Sequence, residues 1–259
     1  MSKEKDVVLS GIRATGKLHL GNYLGAMRYF VDLSRDPQKQ CYFFIANLHT
    51  LTTKTDPESI KHDLLEITLD YLAAGINPET SIIFAQSSVP ETCELSWLLN
   101  CITSISALTI LPHFKDKKDK METLGQSINS GLLTYPVLMA ADILGPKATL
   151  VPVGEDQYPH VELTRELARR FNFLYGKTFP EPQTLKGEDI RVPGLDGTGK
   201  MGKSDNNTID LIDTQKIIKQ KISQAVTDPA RIKKTDPGTP EICNIFELHQ
   251  LMSTGEEIN

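Results

Sequence analysis

Val7-Val8-Leu9-Ser10-Gly11-Ile12-Arg13-Ala14-Thr15-Gly16-Lys17-Leu18-His19-Leu20-Gly21-Asn22 is the stretch that decides the fold. Its apolar opening predicts a buried strand, and Leu20, Leu24, Met27 and Val31 then recur at helical spacing. The turn between them lies where an open parallel sheet binds ligands, outside the carboxyl end of a strand. Glycines at 11, 16 and 21 keep that turn open to a close ligand. A helix start offers unpaired N–H groups and positive dipole potential, which suits phosphate. Thr15, His19 and Asn22 can add side-chain hydrogen bonds to phosphate or adenine.

Outward from this turn the pattern repeats. Cys41 to Ala46 (CYFFIA) and Ser81 to Ala85 (SIIFA) predict two further strands. Between them Asp56-Pro57 opens a helix, as N-cap and first-turn proline, that stops at Gly75. Residues 90 to 145 are mostly helical by pattern, interrupted by the charged stretch His113 to Lys120. Thr149 to Val153 predicts another strand, followed by a helix through Val161, Leu163, Leu167 and Phe171. Proline- and glycine-rich loops fill 176 to 206, and an amphipathic helix follows from about Thr214 to Val226. Alternating strands and helices imply an α/β fold of the Rossmann type, a parallel sheet with helices on both faces. The expected division is a catalytic domain over 1–210, with a helical insertion at 90–145, and the start of a C-terminal helical region at 211–259.

Composition narrows the class. With 259 residues, 39% of them hydrophobic, the chain can bury a sizeable core. The formal charge of −5 excludes a general nucleic-acid-coating protein, so any RNA contact must use local basic patches. No apolar run approaches the ~20 residues that span a bilayer, and the N-terminus lacks a signal-peptide pattern. A cytoplasmic protein with no membrane partner is the expectation. The 4 cysteines (Cys41, Cys93, Cys101 and Cys243) show no metal-type spacing and are expected reduced and mostly buried.

Two segments carry further chemistry. Lys200-Met201-Gly202-Lys203-Ser204, taken from Gly197, matches the phosphate-loop pattern G-x-x-x-x-G-K-[ST] letter for letter. Such a loop needs a buried strand before it and a helix after it. Arg191 to Asp196 is short and broken by Pro193, and Asp205-Asn206-Asn207 opens a turn, so that reading is set aside. In Tyr135-Pro136-Val137-Leu138-Met139-Ala140-Ala141-Asp142 one acid stands in an apolar helical run. A buried carboxylate needs a donor, and an indole offers one N–H and no acceptor. Met139, three residues before Asp142, shares its helical face and can lay a polarisable thioether on a ring.

Together these segments resemble the tryptophanyl members of the class I aminoacyl-tRNA synthetases. Thr15 to Asn22 is similar to their HIGH motif in its His-x-Gly-Asn form, and Lys200 to Ser204 resembles their KMSKS loop with Gly202 in place of the middle serine. That glycine keeps the lysine spacing, and a looser loop is expected. Val151-Pro152-Val153-Gly154-Glu155-Asp156-Gln157 matches the same family.

The resemblance implies activation of L-tryptophan by ATP with Mg²⁺, then transfer to tRNA(Trp), by a homodimer. It implies catalytic roles for Thr15, His19, Lys200 and Lys203. ATP would be bound by Ile12, Arg13, Ala14, Gly21, Asn22, Gly154, Glu155, Asp156, Val192, Lys200, Met201, Gly202, Lys203 and Ser204. Tryptophan would be bound by His49, Tyr135, Met139, Asp142 and Gln157, with Lys115 and Lys117 near the phosphates and no resident metal site. Family members continue into further helices, so a partial chain is expected, and the Phe246–Met252 helix has no visible partner. Cys243 resembles the first ligand of an iron–sulfur site found in some members, but no later cysteine follows it, and a free buried thiol is expected. A tyrosyl enzyme, a nucleotidyltransferase sharing the first motif, and an inactive binding paralogue are the rival readings.

Overall fold

The computed structural model describes residues 5–254, apart from 113, 116, 117, 119–122, 124–126, 188, 189, 198, 229, 232 and 234 and the side chain of Ser204. Contacts divide the chain into two compact units, Met1–Gly16 with Phe30–Gly187 and Lys17–Tyr29 with Glu188–Asn259. The sequence alone suggested one border near 210.

The larger unit is built on a parallel sheet. Its strands are β1 (Asp6–Ile12), β2 (Lys39–Ile45), β3 (Ser81–Ala85), β4 (Leu150–Pro152) and β5 (Gln183–Leu185), in the order β3-β2-β1-β4-β5. β2 runs beside β1 from Asp6↔Lys39 to Ile12↔Ile45, and β3 continues from Cys41↔Ser81. β4 joins the other edge of β1 at Val8↔Leu150. The order therefore reverses between β1 and β4, and a crevice opens there at the strands' carboxyl ends. β5 corrects the loop expected over 176–206. Gln-Thr-Leu is too short and too exposed to show apolar alternation, and its pairing with β4 declares it.

The helices form where local chemistry directs. The Pro57–Ala74 helix starts as expected, with the Asp56 carboxylate accepting from the Ser59 N–H at 2.9 Å. It ends at Gly75, whose φ of 103° is left-handed backbone that favours glycine. Helices Glu91–Cys101, Ser130–Leu144 and Tyr158–Tyr175 share an apolar cluster that includes Leu99, Val137, Ala140, Leu144, Leu163 and Leu167. Each such leucine contributes about 1.5–3 kcal/mol by leaving water. A second cluster of Leu9, Phe44, Ile143, Ala148, Val151 and Val161 joins sheet residues to helical ones. The Ser130–Leu144 helix is thereby anchored on both sides, which fixes where Asp142 points.

The smaller unit has its own core of Leu24, Val192, Leu195, Met201, Ile209 and Leu248. Leu248 belongs to helix Asn244–Met252, so the segment expected to lack a partner has one. Its contacts are distant in sequence, where periodicity carries no signal. The cysteine expectation is also corrected. All are free, but Cys93 and Cys101 are exposed, Cys243 is half-buried, and only Cys41 is buried.

Candidate active site

In the larger unit the carboxyl ends of the strands surround a cavity of about 400 Å³. His49, Tyr135, Met139, Asp142 and Gln157, all expected at an amino-acid pocket, line it together. Phe44, Val151 and Val153 give it apolar walls that can take a flat ring. Asp142 is 6% exposed, and burial is the main cause pushing its carboxyl above the usual carboxylate range. Hydrogen bonds from His49 and Gln86 oppose that shift.

Gln86 is the residue that sequence reasoning missed. Its Nε2 donates to both Asp142 oxygens at 2.9 Å, while its Oε1 accepts from the Leu48 and His49 N–H groups at 3.0 and 3.2 Å. His49 Nε2 lies 2.8 Å from Asp142 Oδ2. No arginine holds Asp142 among the described residues; the Gln86 amide and the His49 imidazole do, and a carboxylate's two oxygens have acceptor capacity left for a ligand N–H. Tyr135 is fixed by its hydroxyl, 2.9 Å from His160 Nε2, and burial raises it to about 12. Gln157 donates to Asp156 Oδ2 at 2.8 Å, which turns its amide oxygen to other donors.

The turn after β1 is clamped at both ends. Arg13 lines the cavity and donates to Thr53 Oγ1 at 2.7 Å. Gly16 N–H donates to Asp63 Oδ2 at 2.7 Å, and the same oxygen accepts from Lys54 Nζ at 2.6 Å. Asp63 is buried, so Asp63→Ala should leave its partners without their acceptor and cost about 1–3 kcal/mol of stability. Asp63→Asn should recover most of that. A denaturant midpoint that Asp63→Ala does not shift would refute the clamp.

In the smaller unit the remaining two motifs meet. Leu20 N–H donates to Ile209 O at 2.8 Å and Leu211 N–H to Leu18 O at 2.9 Å, so His19 bridges Asp210. A Cβ on Gly21 would stand 3.5 Å from Met201 Cβ. His19 is buried, its Nδ1 accepts from Gly21 N–H at 3.1 Å, and Asn22 Oδ1 accepts from His19 N–H at 3.1 Å. Burial first, and the charge of Lys203 second, hold the imidazole below its ordinary value, with Asp210 opposing. The ring is therefore neutral at pH 7, with its proton on Nε2 ready for an anion.

Lys200 and Lys203 are exposed at the edge of a folded-back segment in which Met201 N–H donates to Val192 O at 2.8 Å. Val192 and Met201 bury their side chains, so anything they offer a nucleotide is main chain. Gly202 N–H donates to Asn207 Oδ1 at 2.9 Å, and Asp205 Oδ2 lies 2.5 Å from where a Cβ would stand. A serine at 202 would first have to displace that carboxylate. A 3₁₀ turn, Lys203–Asp205, follows the lysine where a phosphate loop would continue into an α-helix.

Other expected positions are distributed around these features. Ile12 ends β1, and Ala14 is fully buried in the turn that carries Thr15. Gly154, Glu155 and Asp156 are exposed after β4, with Glu155 paired to Lys186 at 2.9 Å. Lys115 is exposed and does not line the cavity, while Lys117 and the side chain of Ser204 lie outside the described residues.

A parallel sheet with this strand order, an amino-acid-sized cavity at its switch point and paired histidine and lysine motifs define an aminoacyl-tRNA synthetase of class I. The chain belongs to the class I tRNA synthetases of the W and Y family, whose pattern it matches over residues 1–259. It is 44% identical over 254 residues to the tryptophan–tRNA ligase of Deinococcus radiodurans, covering 97% of this chain and 76% of that protein. The tryptophan–tRNA ligase of Thermotoga maritima is 45% identical over 251 residues, covering 96% and 76%. Among solved structures, the tryptophanyl-tRNA synthetase of Campylobacter jejuni complexed with ADP and tryptophan superposes with a TM-score of 0.88 at 40% identity, covering 96% and 76%. Family membership makes this an enzyme of aminoacyl-tRNA ligation, and these relatives are of the tryptophan kind.

Proposed function

We propose that the chain activates L-tryptophan with ATP and passes the aminoacyl group to the terminal ribose of tRNA(Trp). The observation that carries this reading is the apolar cavity with Asp142 in its wall, held by Gln86 and His49 and able to accept an indole N–H. An α-carboxyl group has a pKa near ~3.5, so the substrate carboxylate is ionised at pH 7 and activation needs no general base. A carboxylate oxygen bonds to the α-phosphorus, the α–β phosphoanhydride bond breaks, and pyrophosphate leaves with both electrons. The chain's part is to orient the carboxylate and neutralise the leaving group.

His19 Nε2–H and the Lys200 and Lys203 ammonium groups suit the phosphates, and Thr15 stands in the clamped turn. Among the described residues no cluster of three or more His, Cys, Asp or Glu could hold a metal, so Mg²⁺ would enter on the phosphate oxygens of ATP. For tRNA, exposed Lys216 and Lys219 on helix Gln215–Gln224 offer a local basic strip on an otherwise acidic protein.

Exposed Trp97, Ile105 and Ile110 favour a homodimer, and no described helix is long and apolar enough to cross a membrane. We place the protein in the cytoplasm. Pyrophosphate exchange with each amino acid in turn tests the activity. Tryptophan alone should support exchange. Equal or greater exchange with tyrosine would overturn the specificity, and no exchange with any amino acid would favour an inactive paralogue.

A further inference from the structure

Arg13 is a half-buried cation with no anion beside it among the described residues. Its three hydrogen bonds all leave from Nη2 and end on neutral oxygens: His49 O at 3.3 Å, Thr52 Oγ1 at 3.4 Å and Thr53 Oγ1 at 2.7 Å. Its Nε–H is buried and has no acceptor. No carboxylate pairs with it among the described residues, and burial lowers its affinity for its own proton. Leaving a guanidinium this way is costly unless something else supplies the anion. Asp142, the acid in the same cavity wall, is already engaged by Gln86 and His49.

We propose that Arg13 binds the α-carboxylate of the amino acid, and that its neutral tethers exist to hold the guanidinium in the cavity without quenching it. The proposal rests on the reading of this cavity as the tryptophan site. It moves Arg13 from the nucleotide, where the sequence resemblance placed it, to the amino acid. The cavity would then recognise a zwitterion at separate points: the ring N–H at Asp142, the carboxylate at Arg13, and the ammonium at the amide oxygen of Gln157. A guanidinium is suited to the carboxylate position because its planar N–H donors match the two oxygens. The fixed tethers also mean little side-chain freedom is lost on binding.

This role makes a discrimination that a structural role does not. Tryptamine keeps the indole and the ammonium but lacks the carboxylate. The experiment measures L-tryptophan and tryptamine binding to the whole chain by calorimetry, with ATP binding measured separately, for wild type and Arg13→Gln. Wild type should hold tryptophan at least about tenfold more tightly than tryptamine, as expected for one charge-assisted pair. Arg13→Gln should bring tryptophan down to the tryptamine level while tryptamine and ATP each change less than about twofold.

Equal weakening of both indole ligands, an unchanged tryptophan affinity, or a loss confined to ATP would each overturn the proposal. Should Arg13→Gln fail to fold, Arg13→Lys keeps a charge while losing the planar donor set. It should retain part of the discrimination, and a ratio unchanged from wild type would count against a guanidinium-specific role. If wild type binds neither indole ligand, the tryptophan reading of the cavity fails and takes this one with it. Failure of the variant alone leaves that reading standing.

Discussion

Replacing Lys203 by alanine should slow tryptophan-dependent pyrophosphate exchange about 10²–10³-fold while leaving the tryptophan Kd within about twofold. Charge accumulates on pyrophosphate only as the anhydride bond breaks, so a cation placed there acts on the transition state more than on the bound substrate. Lys203 suits that task because the base of its loop is fixed. Gly202 N–H is held by Asn207, and Asn207 Nδ2 donates to Asp196 Oδ1 at 2.9 Å. Its charge already reaches His19, whose protonation it disfavours. The side chain is exposed, so its removal should not alter the thermal midpoint. Exchange at saturating tryptophan, paired with calorimetric binding, separates the effects. A loss in binding as large as the loss in rate, or no loss in rate, would remove Lys203 from the mechanism.

How much of this was legible in the chain depended on whether the signal was local. Asp56 before Pro57 and Gly75 after the helix announce themselves because neighbours in sequence make the contacts, and β1 to β3 because a short apolar run is itself visible in the sequence. The gathering of His49, Tyr135, Met139, Asp142 and Gln157 followed from motif and from their places after strands or on one helical face. Gln86 gave no such signal. It is one polar residue at the end of β3, and its partner lies 56 positions away. Asp63 looks like an ordinary acid on a helix, and its partners Gly16, 47 residues before it, and Lys54 give it a purpose. β5 and the partner of helix Asn244–Met252 were hidden for the same reason, since both are defined by what they meet.

Asp142→Ala should raise the tryptophan KM about 10–100-fold, because a hydrogen bond to a charged group contributes about 1.5–3 kcal/mol. The same change should erode discrimination against phenylalanine-like rings, since a site built to take an N–H rejects analogues lacking it. Gln86 Nε2 and His49 Nε2 would lose their acceptor as well, so thermal stability must be read beside KM. Asp142→Asn sharpens the test. An amide presents a donor where Gln86, His49 or the indole already donates, so it should bind tryptophan poorly despite its nearly equal volume.

Acidity gives an independent handle. Burial raises the Asp142 carboxyl, so its folded value lies above its unfolded one. The stability tied to this group is present in full below the unfolded value and is lost as pH rises through the folded one. The ionised carboxylate therefore sits at a cost to the fold. Binding runs the other way. As pH falls through the raised folded value, a proton occupies an oxygen that must accept, and tryptophan affinity should weaken in wild type. That acid-side loss should vanish in Asp142→Ala. A wild-type tryptophan KM flat across that range, or an alanine variant with unchanged KM, would mean the indole N–H meets some other acceptor.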